Sequence, residues 1–219
     1  MTTNIGTSGI QFHSPDVLAV LRRLLDVKDE ISVAEIGTGI GATSREIAKM
    51  MKGKGALHLF DYEETVAKVE QMLRSEGLVD GITVVTHGNT HLTYDSYSWH
   101  LAKLALDEMS RGGTGIYDLA YLDGGHVFHH DAPACIALKE LIRPGGYLVL
   151  DDVHWSFAKS RSANPERKPE IRKRYTQDQI ETSHVMLVDR LIMKTDARFE
   201  QIFLTASNDP GRTVYRKVA

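Results

Sequence analysis

One cysteine in 219 residues rules out an internal disulfide. That residue, Cys135, lies in CIALKEL, which reads as a helix where a lone thiol behaves as a small buried apolar group. Net charge is also scarce, at -3, so the chain as a whole gives no electrostatic footprint for nucleic acid, which would call for a basic domain or stripe. No apolar run approaches the roughly 20 residues that span a membrane. The N-terminal MTTNIGTSGI has neither a basic leader nor an apolar core. A cytoplasmic protein that binds neither membrane nor nucleic acid is expected, and no internal repeat is visible. What remains is ordinary globular material, 42% hydrophobic and 25% charged. It is enough to bury one sizeable core, so a single domain over residues 1–219 is expected.

The most informative stretch is SVAEIGTGIGATSREI, from Ser32 to Ile47. Val33, Ala34 and Ile36 read as a buried strand; Ile47, Met50 and Met51 give the following helix an apolar face until Gly53 closes it. Between them, Gly37, Gly39 and Gly41 remove side chains where the backbone must turn and a ligand could approach it. Gly37, Gly39 and Ala42 also satisfy the loose dinucleotide fingerprint, so an NAD(P)-dependent oxidoreductase stays open as an alternative. Glu35 argues against it, because a carboxylate near the turn would repel a pyrophosphate but suits an ammonium and a sulfonium. The run Glu35-Ile36-Gly37-Thr38-Gly39-Ile40-Gly41 resembles motif I of the class I S-adenosylmethionine-dependent methyltransferases. The resemblance implies that Glu35, Gly37, Thr38, Gly39 and Gly41 hold the methionine part of S-adenosylmethionine.

Upstream, Ser14-Pro15-Asp16 places a capping residue before a proline at the first position of a helix carrying Val17, Leu18, Leu21, Leu24 and Leu25. Phe12-His13-Ser14-Pro15 resembles a segment that small-molecule O-methyltransferases place over the cofactor, and reads equally as a helix cap. Downstream, Leu57 to Phe60 is a second strand ending in Asp61, about 20 residues past the glycines, where an acid typically accepts from ribose hydroxyls. Asp61 could instead cap the helix near Glu63. Ile82 to Val85 reads as a third strand, followed by a loop in which Asn89 holds the place that the resemblance assigns to an adenine contact. Tyr94, Tyr97 and Trp99 then precede a helix of Leu101, Leu104, Ala105 and Met109; aromatics so spaced suit packing better than substrate contact.

Tyr117 to Leu122 is a fourth strand ending in Asp123, with Gly124-Gly125-His126 and a helix from about Asp131 to Ile142 behind it. After Pro144-Gly145-Gly146, Tyr147 to Leu150 forms a fifth strand ending in Asp151-Asp152. Alternating strands and helices predict an α/β fold, a Rossmann-like, mostly parallel, seven-stranded sheet with helices on both faces. Its C-terminal pair, Phe199 to Leu204 and Thr213 to Val218 around Ser207 to Gly211, would be an antiparallel hairpin. In such a sheet ligands bind outside the strands' carboxyl ends, so Glu35, Asp61, Asp123, Asp151 and Asp152 should face one crevice. Carboxylates on adjacent strands, about 4.8 Å apart, can share a cation, and a hard divalent ion, Mg2+, would keep them ionised.

YDLAYLDGGH, a helix, then GGYLVLDDVHW is similar to the metal-dependent O-methyltransferases of the catechol type and of the macrocin or mycinamicin sugar type. The resemblance spans roughly Ser14 to Asp152. It implies Asp123, Asp151 and Asp152 as metal ligands, Asp123 also in the catalytic and cofactor set, and His126 as general base. His126 also reads as a plain loop histidine, and the acids as helix caps. His154 repeats its offset from Asp151, while His129 and His130, at a helix start, suit neutral surface or packing roles. Around residues 155–177 the pattern breaks into a long insertion with seven lysines and arginines, Lys159, Arg161, Arg167, Lys168, Arg172, Lys173 and Arg174. It is either a lid, suited to an acidic or polyhydroxylated acceptor, or a solvated basic loop. A helix over Ile180 to Met193 follows. The expected activity is O-methylation of a small phenol, sugar or natural-product intermediate. A nucleotide- or RNA-binding module without catalysis and a homodimer both stay open.

Overall fold

The computed structural model describes residues 13–204 and 211–218. Strands β1 (Ser32–Ile36), β2 (Ala56–Tyr62), β3 (Thr83–Asn89), β4 (Tyr117–Leu122), β5 (Ile142–Leu150), β6 (Phe199–Ile202) and β7 (Thr213–Lys217) form one sheet in the order β3-β2-β1-β4-β5-β7-β6. β1 to β5 pair in parallel, and β7 runs antiparallel to both β5 and β6. The Rossmann-like sheet with its terminal antiparallel pair is therefore as expected; the turn at Ser207 to Pro210 lies outside the described residues, as does Phe12.

Helices α1 (Pro15–Leu25), α2 (Ala42–Met51), α3 (Glu63–Ser75), α4 (Tyr97–Ser110) and α5 (Phe128–Leu141) are the main cover. Side chains alternate across a strand, so each residue chooses a face. Val33, Leu57, Leu59, Leu119, Tyr121 and Val149 pack with α1, α2 and α3. Ala34, Ile36, Phe60, Ala120, Leu122 and Leu150 pack with α4 and α5 on the other side. Each fully buried leucine or isoleucine contributes roughly 1.5–3 kcal/mol. Ser14 caps α1, its Oγ accepting from the Val17 amide at 3.5 Å. No helix among the described residues is long and apolar enough to cross a membrane.

At the amino ends of the strands, Asp118 of β4 is fully buried and neutralised by Lys28 at 2.6 Å and Arg143 at 2.8 Å. Asp123, five residues on, stands at the carboxyl end beside other acids.

Four expectations are corrected. His87-Gly88-Asn89 is not a loop: it extends β3, paired with Phe60, Asp61 and Tyr62, and His87 stacks on Phe60 at 4.1 Å. β5 starts at Ile142, so Pro144-Gly145-Gly146 lies within it, accommodated by a register shift opposite Tyr117 and Leu119. α5 starts at Phe128, whose amide donates to Nδ1 of buried His184 at 3.1 Å. Ile180 to Met193 is not one helix but the end of α7 (Gln177–Glu181), then α8 (His184–Val188) and a π-turn over Asp189–Met193. The break falls at Ser183, which donates to the Val153 carbonyl at 2.6 Å and caps α8 by accepting from Met186 at 3.3 Å.

The basic insertion contains a 3-10 turn (Phe157–Lys159) and α6 (Ile171–Arg174), and it has a small core of its own. Phe157 packs with Val127 and Ile180, and Trp155, Ile171 and Tyr175 close around them. Its seven basic residues are exposed, so the aromatic side chains are what anchor it, against Val127 before α5 and Ile180 of α7.

Candidate active site

The turn from β1 into α2 is tightly built. Gly37 has φ +86°, and a Cβ there would sit 1.9 Å from the Asp123 carbonyl oxygen, so no side chain fits. A Cβ on Gly39, at φ +50°, would meet nothing within 4 Å; that position faces open space. Asp61, at the end of β2, fastens the turn: its Oδ2 accepts from the Thr38 amide at 2.9 Å, the Gly39 amide at 3.1 Å and the Thr38 hydroxyl at 3.3 Å. Its Oδ1 accepts from the Tyr62 amide at 2.7 Å. Glu35 is 2% exposed and accepts from the Ser44 hydroxyl of α2. Burial raises its pKa to about 8, with the neighbouring Asp123 and Asp61 carboxylates adding to the shift.

Gly41 departs from expectation. It is the N-cap of α2, does not line the cavity, and faces α3, where a Cβ would meet Met72 at 2.8 Å and Val69 at 3.1 Å.

A cavity of about 590 Å³ opens above the turn. Glu35, Gly37, Thr38, Gly39, Asp61, Asn89, Asp123 and His126 all line it, together with Phe157, Ile171, Arg174 and Tyr175 of the insertion. The insertion therefore contributes to the wall of the site. Asn89 is 5% exposed and its Oδ1 is buried without a hydrogen-bond partner among the described residues. An acceptor left open in a cavity wall fits a ligand that donates there, such as an exocyclic amine. The open face at Gly39, the size of the cavity and this orphaned oxygen together fit S-adenosylmethionine.

β4 and β5 are neighbours, with Leu122 opposite Leu150, so the acids beyond them meet. Asp123, His126 and Asp152 each offer a ligand atom, all within 4.8 Å of one another. His126 Nε2 lies 3.7 Å from Asp123 Oδ1 and 3.4 Å from Asp152 Oδ2. His126 and Asp152 hold φ of 53° and 54°, the left-handed region that side chains seldom adopt. This donor set, two carboxylates and one imidazole, fits a divalent cation.

The expectation for Asp151 is corrected: it is turned out of this cluster. Its Oδ2 accepts from the Tyr121 hydroxyl and from Arg212 Nε at 3.0 Å, and its Oδ1 from the Asp152 amide at 2.8 Å. His126 takes the third place. Tyr121 Oη also lies 3.0 Å from Asp123 Oδ2. Burial and the neighbouring Asp151 raise the pKa of Asp123 to about 7.

The other histidines separate. His154 is exposed and lines a different cavity, with Asp189 and Arg190. His129 is exposed, and burial together with His129 lowers the pKa of half-buried His130. Of the three clustered aromatics, Tyr94 and Trp99 are exposed and pack against little, whereas Tyr97 is buried and lines the cavity. Sequence reasoning missed Ser44, Tyr97 and Tyr121. For Tyr121 a signal existed, since it and Asp123 are two apart at the end of a strand and so project to the same side.

A mostly parallel sheet in this strand order, a glycine turn after β1 and an acid at the end of β2 define a class I methyltransferase. The chain belongs to the family described as "Methyltransferase domain", which it matches over residues 34–153. No curated protein sequence matches it. Among solved structures, it is similar to the O-methyltransferase TomG of Streptomyces achromogenes, involved in tomaymycin synthesis and in complex with S-adenosylmethionine. That likeness has a TM-score of 0.57 and 16% identity, over 94% of this chain and 80% of the other. An O-methyltransferase of Bacillus cereus bound to S-adenosylhomocysteine gives 0.57 and 16%, over 95% and 84%. A Podospora anserina methyltransferase bound to the same product gives 0.56 and 14%, over 92% and 77%. The expectation of an S-adenosylmethionine-dependent methyltransferase is borne out, and the protein is an enzyme of that class.

Proposed function

We propose that the enzyme transfers the methyl group of S-adenosylmethionine to a hydroxyl of a small phenol, sugar or natural-product intermediate, assisted by a divalent cation, Mg2+ for preference. One observation carries this reading: the glycine turn, Asp123 and His126 line a single cavity, and Asp152 clusters with the latter two. Glu35 faces the cofactor's ammonium end, Asp61 the ribose and Asn89 the adenine. Asp123, His126 and Asp152 would hold the cation, which when bound lowers the pKa of a coordinated hydroxyl. With His126 committed to the cation, the acidified hydroxyl gives its proton to solvent rather than to the imidazole first expected as base, and the rigid turn holds donor and acceptor in line for displacement. The names of the similar structures, two of them O-methyltransferases, support oxygen as the methylated atom.

In this reading the chain acts as one cytoplasmic domain, with residues 155–177 as a lid over a small-molecule acceptor. Calorimetric titration with S-adenosylmethionine and with NAD, each with and without Mg2+, tests it. Binding of the first and not the second is expected; the reverse ends the proposal.

A further inference from the structure

The loop that carries Asp123 and His126 is held from behind by a pair of residues on two helices. Tyr97, the first residue of α4, and Asp131, in the first turn of α5, are both buried, and the Tyr97 hydroxyl donates to Asp131 Oδ1. The Tyr97 hydroxyl oxygen itself accepts from the Gly125 amide at 2.9 Å. A Cβ on Gly124 would lie 2.4 Å from it, so the phenol fills the space that a side chain there would need. The hydroxyl's one proton and its lone pair are thus both committed.

The geometry points to Tyr97 and Asp131 as positioning residues for the methyl-transfer site: they fix the Asp123 to His126 loop so that its two ligating side chains face Asp152. This rests on the proposed metal-assisted reaction. The loop needs an external hold, because glycine at 124 and 125 leaves the backbone free to take many conformations and His126 is kept at φ 53°. At its start the loop is fixed by the Asp123 amide on the Ile36 carbonyl at 2.8 Å. Tyr97 supplies the second fixed point, and Asp131 orients its proton away so that the lone pair meets Gly125. Neither residue reaches Asp152, and their effect passes through the backbone.

The test compares Tyr97→Phe and Asp131→Asn with the wild-type full chain by three readouts: amide exchange of Gly125 by NMR, Mn2+ affinity by titration with the metal alone, and S-adenosylmethionine affinity. Tyr97→Phe is expected to speed exchange of the Gly125 amide and to weaken Mn2+ binding by about tenfold, the scale of outer-shell losses at metal sites, with cofactor affinity nearly unchanged. Asp131→Asn keeps an acceptor for the phenol and should stay close to wild type. Mn2+ affinity unchanged in Tyr97→Phe overturns the inference, whatever happens to its melting temperature. If Tyr97→Phe does not fold, Asp131→Ala, which removes the acceptor alone, is measured under the same criteria. If wild-type protein binds no Mn2+, the metal reading fails by itself, and Gly125 exchange still decides whether the pair anchors the loop.

Discussion

His126 Nε2 stands 3.4 Å from Asp152 Oδ2, although the two residues come from loops after different strands and both occupy the left-handed backbone region. Strain at two adjacent side-chain-bearing positions costs of order 1–3 kcal/mol each, and it persists where the surroundings over-determine it. Here it aims an imidazole and a carboxylate at the same point. Asp152→Asn should therefore abolish chelator-sensitive methyl transfer while leaving S-adenosylmethionine affinity nearly unchanged. Initial rates with and without EDTA, alongside calorimetry, check both halves.

Asp61 organises the glycine turn and, in the proposed binding mode, would face the ribose. Asp61→Ala leaves the Thr38 and Gly39 amides without their acceptor, at about 1–3 kcal/mol for unmade hydrogen bonds, so cofactor affinity should fall roughly 10- to 100-fold. Asp61→Asn retains one acceptor oxygen and should lose less. Titration of both variants decides.

Glu35 makes stability depend on pH. Its pKa is raised by burial from 4.5 to about 8, so the folded protein keeps a proton that the unfolded chain has lost. The contribution is fully present below pH 4.5 and is lost as the pH rises through about 8, with a total on the order of 5 kcal/mol. Urea melts of the cofactor-free protein should show this decline, and Glu35→Gln should flatten it. A bound ammonium would ionise Glu35, so added S-adenosylmethionine should stabilise the protein more at pH 8 than at pH 6.

The acid side behaves oppositely. His58 and His87, 3.1 Å apart on β2 and β3, have pKa values lowered by burial from 6.5 to about 4. Both stay neutral in the fold while the unfolded chain takes up protons, so their stability is present above pH 6.5 and is lost as pH falls through about 4. Replacing His87 by Phe, which keeps the stack on Phe60, should reduce the acid sensitivity seen in urea melts between pH 4 and pH 6.5.

Much of this was legible in the sequence because it depends on local pattern. Apolar strands alternating with helices specify a parallel sheet, and acids at strand ends must then share one crevice. The details that escaped depend on residues distant in the chain. Asp151 and Asp152 are adjacent and alike, but Arg212 and Tyr121 draw only Asp151 out of the cluster. The three glycines look equivalent, and it is Met72 and Val69 of α3 that make Gly41 a packing position while Gly39 faces the cavity. The break at Ser183 needs the Val153 carbonyl, thirty residues upstream. The insertion's basic charge concealed what anchors it, the packing of Trp155, Phe157 and Tyr175.

The most direct measurement is transfer of a labelled methyl group from S-adenosylmethionine to a panel of small catechols and sugars, with Mg2+ or with excess EDTA. The account predicts label on an acceptor oxygen with Mg2+, and none with EDTA or in Asp152→Asn. Full transfer in EDTA by the wild type and by Asp152→Asn alike would contradict it.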